Sequence, residues 1–180
     1  MNISTITITD LKEKLRHVPD FPQKGIDFID ITTLLQDKEY FQAAIKAMAE
    51  ACREWEIEMI VGSEARGFIV GAPLAYELGV GFVPIRKPGK LPYKTIERSY
   101  SLEYGNDSIC MHSDALQEGE KVLVVDDLLA TGGTAKACCE LVEALGAEVV
   151  GLLFLIELSY LNGRKELKKY PLKSLICFDE

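Results

Sequence analysis

Phe41, Ala44, Ile45, Met48 and Cys52 recur at the spacing of a helix with one apolar face, which predicts a long helix from about Lys38 to Glu54. A shorter helix is expected around Asp10 to Arg16. Between them, HVPDFPQKGIDFIDITTLL holds two prolines, a glycine and no sustained period, so it reads as irregular chain. Beyond the long helix, short apolar runs alternate with helical periods. EMIVGSEARGF is a strand ending in a loop, FIVGAPLAYELG returns as a helix, and GFVPIRK is a second strand. KPGKLPYKTIERSYSLEYGNDSICMH mixes Pro, Gly and charge before the alternation of a strand at Ser108 to His112, and reads as a mobile loop with a hairpin arm. A strand from Lys121 to Val125, a helix from Thr131 to Leu145 stopped by Gly146, a strand from Glu148 to Leu155 and a last strand near Ser174 to Phe178 follow. Strands alternating with helices predict the α/β class, a central parallel sheet flanked by helices.

The chain has 180 residues and no repeat or low-complexity linker, which sets the expectation of a single domain, 1–180. No run of about 18 apolar residues appears, and the opening MNISTITITDLKEK lacks the basic and then apolar layout of a signal peptide, so a soluble cytoplasmic protein with no membrane partner is expected. Five cysteines (Cys52, Cys110, Cys138, Cys139, Cys177) without a C-x-x-C, and only His17 and His112 as histidines, suggest neither a disulfide framework nor a zinc site. A formal net charge of -8 argues against a broad nucleic-acid surface, so any anionic substrate must be met by local cations.

The candidate chemistry gathers in VLVVDDLLATGGTAKA, Val122 to Ala137. In a parallel sheet, ligands sit beyond the C-terminal ends of strands, and Val125 is expected to be such an end. Gly132 and Gly133 let the backbone turn sharply and approach a ligand, and the amides of Thr131 to Thr134 open a helix, the arrangement that holds a phosphate. Asp126 and Asp127 repel that phosphate, so they need hydroxyls, a metal or a cation as partners. A sugar phosphate satisfies both halves, whereas a plain N-capped helix leaves the acids unexplained. Gly62 to Gly67 has the spacing that begins a P-loop, but Phe68 stands where lysine must be, and no G-x-G-x-x-G opens a helix.

These residues resemble the phosphoribosyl pyrophosphate motif of the type I phosphoribosyltransferases. FPQKGIDFIDITTLL (Phe21 to Leu35), GSEARGF (Gly62 to Phe68), IRKPGKLP (Ile85 to Pro92) and SYSLEYG (Ser99 to Gly105), in that order, are similar to the members of the family that act on adenine. The resemblance implies a small N-terminal hood, formed largely by about residues 1–35, and transfer of a 5-phosphoribosyl group to N9 of adenine. AMP and pyrophosphate are then the products, with Mg²⁺ carried on the substrate diphosphate rather than by protein ligands. It places the donor phosphate on Ala130, Thr131, Gly132, Gly133 and Thr134, and the ribose hydroxyls near Asp126 and Asp127.

Arg66, Arg86, Lys87 and Lys90 match the cations that meet pyrophosphate, and because part of that cluster reaches a neighbouring subunit's site in the family, a homodimer is implied. Backbone groups of Asp27 and Ile29 would face the adenine edge, Phe28 would stack on its ring, and Leu158 matches an apolar position on the other side. Ile29 and Lys24 depart from the family, which often has a basic residue and a proline there. Glu103 matches the acid/base carboxylate, with Tyr104 beside the sugar, and a cis peptide is implied between Glu64 and Ala65. Two rivals stay open: transfer to another purine, and a non-catalytic regulator that senses phosphoribosyl pyrophosphate.

Overall fold

Thr7 and Asp10 form a capping box, each side chain taking up the other residue's backbone amide, so α1 runs Ile8–Lys14, two residues earlier than the spacing predicts. The computed structural model describes residues 5–102 and 105–179, and the chain divides into two compact units, Met1–Ala47 and Met48–Glu180. In the first unit the stretch read as irregular contains structure: β1 (Arg16–Pro19) and β2 (Asp27–Asp30) pair antiparallel, Val18 opposite Phe28, and the short helix α2 (Thr32–Leu35) follows. Four-residue strands carry too few alternations to register as a period, and the chain between them bends at Asp20 (φ 59) and Gly25 (φ 89). The long helix α3 (Lys38–Ala51) ends before Glu54, where Trp55 N–H donates to the Cys52 carbonyl in a tight turn.

In the second unit the elements alternate as β3 (Met59–Ser63), α4 (Arg66–Leu78), β4 (Gly81–Ile85), the hairpin β5 (Thr95–Leu102) and β6 (Gly105–His112), β7 (Lys121–Leu129), α5 (Gly133–Ala144), β8 (Glu148–Leu158) and β9 (Leu172–Phe178). Five of these strands form one sheet in the order β4-β3-β7-β8-β9, every pair parallel, with α4 and α5 packed on it. Val122 to Val125 are fully buried in the central strand, as an unbroken apolar run requires. That strand does not stop at Val125. It continues to Leu129, pairing Asp126 with Phe154 and Leu129 with Glu157 of β8, so the two acids belong to the strand rather than to a turn after it. β8 likewise runs past Leu155 to Leu158, because its partners on both sides extend the ladder. The hairpin's second strand starts at Gly105, ahead of the alternation seen from Ser108. All five cysteines are free thiols, four of them buried. Among the described residues no helix is long and apolar enough to cross a membrane.

Candidate active site

β3 and β7 are neighbours, yet the chain leaves them in opposite directions across the sheet, from β3 to β4 and from β7 to β8. A crevice opens beyond strand ends at such a point. The cavity there, about 240 Å³, is walled by Ser63 to Arg66 after β3, by Lys87 after β4, by Asp126 to Ala135, and by Tyr100 and Ile109 of the hairpin.

The floor is the loop between β7 and α5. Gly132 is the helix N-cap with φ 88, a left-handed backbone that favours glycine, and no side chain caps the first turn. The uncapped amides after it are the donors that an anion takes up. The helix begins at Gly133, two residues later than the sequence predicts. A Cβ on Gly132 would lie 2.6 Å from the Gly163 carbonyl oxygen, so this glycine is also required by the close approach of a second backbone.

The two acids are held differently. Ser63 Oγ donates to Asp126 Oδ2 at 2.6 Å and the Asp127 amide donates to Asp126 Oδ1 at 3.0 Å. Asp127 Oδ2 lies 3.0 Å from Arg66 Nε, but that N–H is not aimed at it, and the buried oxygen has no hydrogen bond. Burial, then repulsion from Asp127, pushes the Asp126 carboxyl up to about 7. Burial also raises Asp127, against the opposing pull of Arg66. A buried acceptor without a donor is suited to a ligand hydroxyl.

Cations stand on the facing loops. The Glu64–Ala65 peptide is cis, and Glu64 beside it organises the loop after β4: its carboxylate accepts from Arg86 Nε at 2.7 Å and from the Lys87 amide at 2.9 Å. Burial acts to raise Glu64, and the Lys87 amide and Arg86 outweigh it, holding the carboxyl below its usual range. The Lys87 ammonium pairs with Asp107, which also accepts from Tyr100 Oη at 3.2 Å. Arg66 and Lys87 therefore meet at the cavity. Arg86 and Lys90 are not among its described walls; Arg86 turns to Glu64 and to the exposed Lys90's carbonyl oxygen at 3.1 Å.

Asp27, Phe28 and Ile29 lie on β2 in the first unit, where Asp27 pairs with His17 Nδ1, Phe28 meets Phe21 edge-on with centroids 5.1 Å apart, and Ile29 is buried. Leu158 ends β8, half-buried. Glu103 and Tyr104 lie outside the described residues. Ser63, Tyr100, Asp107 and Ile109 had no role in the sequence reading, and Glu64 entered it only through its peptide bond to Ala65. Ser63 and Asp126 are 63 positions apart and Lys87 and Asp107 are 20 apart, separations that no local pattern reports. Among the described residues no group of three or more carboxylate, imidazole or thiol side chains could hold a metal ion.

Comparison with known proteins agrees with this architecture. Residues 30–178 match the phosphoribosyl transferase domain family. Adenine phosphoribosyltransferase of Acetivibrio thermocellus is 58% identical over 170 residues, covering 94% of this chain and 99% of the relative. The crystal structure of adenine phosphoribosyltransferase from Thermoanaerobacter pseudethanolicus is 53% identical with a TM-score of 0.94, over 96% of this chain and 100% of that one. The Saccharomyces cerevisiae enzyme, complexed with D-2,5-dideoxy-2,5-imino-altritol 1,6-bisphosphate and adenine, is 42% identical with a TM-score of 0.88, over 93% and 97%. With a cradle, a pair of acids and facing cations at the switch point, and with matches spanning nearly its whole length, the chain belongs to the adenine phosphoribosyltransferase family of phosphoribosyl transferase domains.

Proposed function

We propose that the protein transfers the 5-phosphoribosyl group of phosphoribosyl pyrophosphate to N9 of adenine, giving AMP and pyrophosphate for purine salvage in the cytoplasm. The observation that carries this reading is a single cavity combining an uncapped helix N-terminus, two adjacent carboxylates and two cations on facing loops. Each end of the donor has a matching wall. The 5-phosphate takes the amides of Ala130 to Thr134, the ribose hydroxyls donate to Asp126 and Asp127, and the diphosphate faces Arg66 and Lys87. The adenine bound to the yeast relative supports the choice of base.

In the reaction the N9–C1′ bond forms as the bond from C1′ to the pyrophosphate oxygen breaks. Arg66 and Lys87 stabilise the charge gathering on the leaving group, which they do best with water excluded. The purine becomes positively charged, and Glu103 takes the proton from N7. Tyr104 closes beside the sugar. As the family resemblance implies, backbone groups of Asp27 and Ile29 read the adenine edge, Phe28 stacks on the ring and Leu158 is an apolar contact. Magnesium, when bound, would neutralise part of the diphosphate charge, whose hard oxygens are the ligands that ion takes.

A homodimer is part of the proposal. On α4, Ile69 and Tyr76 are 39% and 90% exposed and share a face with Ala72 and Pro73 at helical spacing, an apolar stripe suited to a second copy. Arg86 and Lys90 then serve the diphosphate in that assembly, in keeping with the family. A hood supplied by the N-terminal residues, about 1–35 within a single domain, belongs to the same reading.

The test is to incubate the protein with phosphoribosyl pyrophosphate, magnesium and each of four free bases, and to identify the nucleotide formed. AMP from adenine alone is expected. IMP or GMP in its place would assign another purine, and no turnover with tight donor binding would assign a regulator.

A further inference from the structure

Gly163, in the 3-10 turn Gly163–Leu167 after β8, is buried against the phosphate loop. A Cβ on Gly163 would collide with the Ala130 carbonyl oxygen and come within 3.1 Å of the Gly132 nitrogen, while a Cβ on Gly132 would meet the Gly163 carbonyl oxygen. Two backbones are in direct contact there, with the Leu129 side chain packed beside them. Movement of one must move the other.

What holds Gly163 in place is its neighbour. Arg164 donates Nε and Nη2 to the two oxygens of Glu157, both at 2.7 Å, and Nη1 to the Leu172 carbonyl of β9 at 3.3 Å. Glu157 is buried near the end of β8, opposite Leu129 in the ladder and immediately before Leu158. Asn162, at φ 57, makes the bend that brings the chain back between these two points. One turn further on, Glu166 pairs with Lys136 of α5 at 3.0 Å. Burial acts to raise the Glu157 carboxyl, and Arg164 outweighs it, so the pair is charged on both sides.

Glu157 is buried but the Arg164 side chain is about half exposed, so solvent screens the pair and it is a poor source of net stability. A bidentate fork, in contrast, sets both distance and angle. We infer that the Glu157–Arg164 pair is a positioning device: it closes the 158–163 turn so that Gly163 braces the Ala130–Gly132 backbone in the form that accepts the 5-phosphate. The inference rests on the proposed function and adds to it two residues that touch no substrate.

The experiment measures calorimetric affinity of the parent, Arg164→Lys and Gly163→Ala for two ligands, ribose 5-phosphate and magnesium pyrophosphate. Arg164→Lys keeps the charge and loses the fork. Ribose 5-phosphate should bind about five- to tenfold more weakly to each variant, the equivalent of one cradle hydrogen bond. Pyrophosphate, held by Arg66 and Lys87, should change by less than about twofold. Combined, the two substitutions should cost less than the sum of their separate effects, since they act on one contact. Equal weakening for both ligands, or no change for ribose 5-phosphate, overturns the brace while leaving the function in place. A parent that binds neither ligand overturns the function itself and the brace with it.

Discussion

Gly132→Ala adds one methyl group where the structure has two separate objections to it. The residue sits at φ 88, and holding alanine in a left-handed conformation costs about 1–2 kcal/mol. The new Cβ would also stand 2.6 Å from the Gly163 carbonyl oxygen, a backbone atom that cannot rotate away. Forcing such a contact apart in a packed region costs roughly 1–3 kcal/mol more. The sum, about 2–5 kcal/mol, corresponds to a fall in Tm of roughly 5–15 °C for a chain of this size. The cradle must also open, so affinity for phosphoribosyl pyrophosphate should fall by more than about tenfold. Gly132→Val should be worse still, since its branched side chain adds a stiff χ1. Thr131→Ala is the control: it removes one hydroxyl, worth about 1 kcal/mol of binding, and leaves the backbone alone. Thermal unfolding and calorimetric titration of the donor decide between them. A Gly132→Ala protein melting within about 1 °C of the parent, with the same donor affinity as Thr131→Ala, would refute both the backbone contact and the cradle.

Two other outcomes are expected. Glu103→Gln should lower kcat by about 10²- to 10⁴-fold while donor affinity stays nearly unchanged, because the donor's anchors are Ala130 to Thr134; turnover within about threefold of the parent, with chemistry limiting, would remove the acid/base role. The raised carboxyl of Asp126 has a consequence for stability: the folded state keeps a proton there that the unfolded chain releases near 3.8, so the ligand-free protein loses stability as pH rises from about 4 to about 7. That interval allows at most about 4 kcal/mol, and solvent reaching the half-buried carboxyl reduces it to roughly 1–2. Denaturant unfolding from pH 4 to 8 should show this loss in the parent and a flatter profile in Asp126→Asn, and identical profiles would contradict it.

Local pattern was enough to indicate the alternation of strands and helices beyond the long helix, the parallel sheet, and the junction where two acids precede glycines at a helix start. An apolar run such as Val122 to Val125 must be buried on both faces, and glycines before a helical period must lie at its N-terminus; both statements involve only residues a few positions apart. The end of β7 was beyond that reach, because the two adjacent acids look like the end of the strand until Phe154 to Glu157 supply the ladder beside Asp126 to Leu129. So was the hairpin of β1 and β2, whose strands are too short to show a period. The purpose of Gly132 was only half legible: TGGT indicates a tight turn, but the backbone of Gly163 makes the second demand, from 31 positions away. Ser63 on Asp126 and Asp107 on Lys87 belong to the same class. A sequence period records how one element faces its surroundings, whereas these pairs exist only because the fold brings residues from separate stretches of the chain together, and the partner of each charge is decided there.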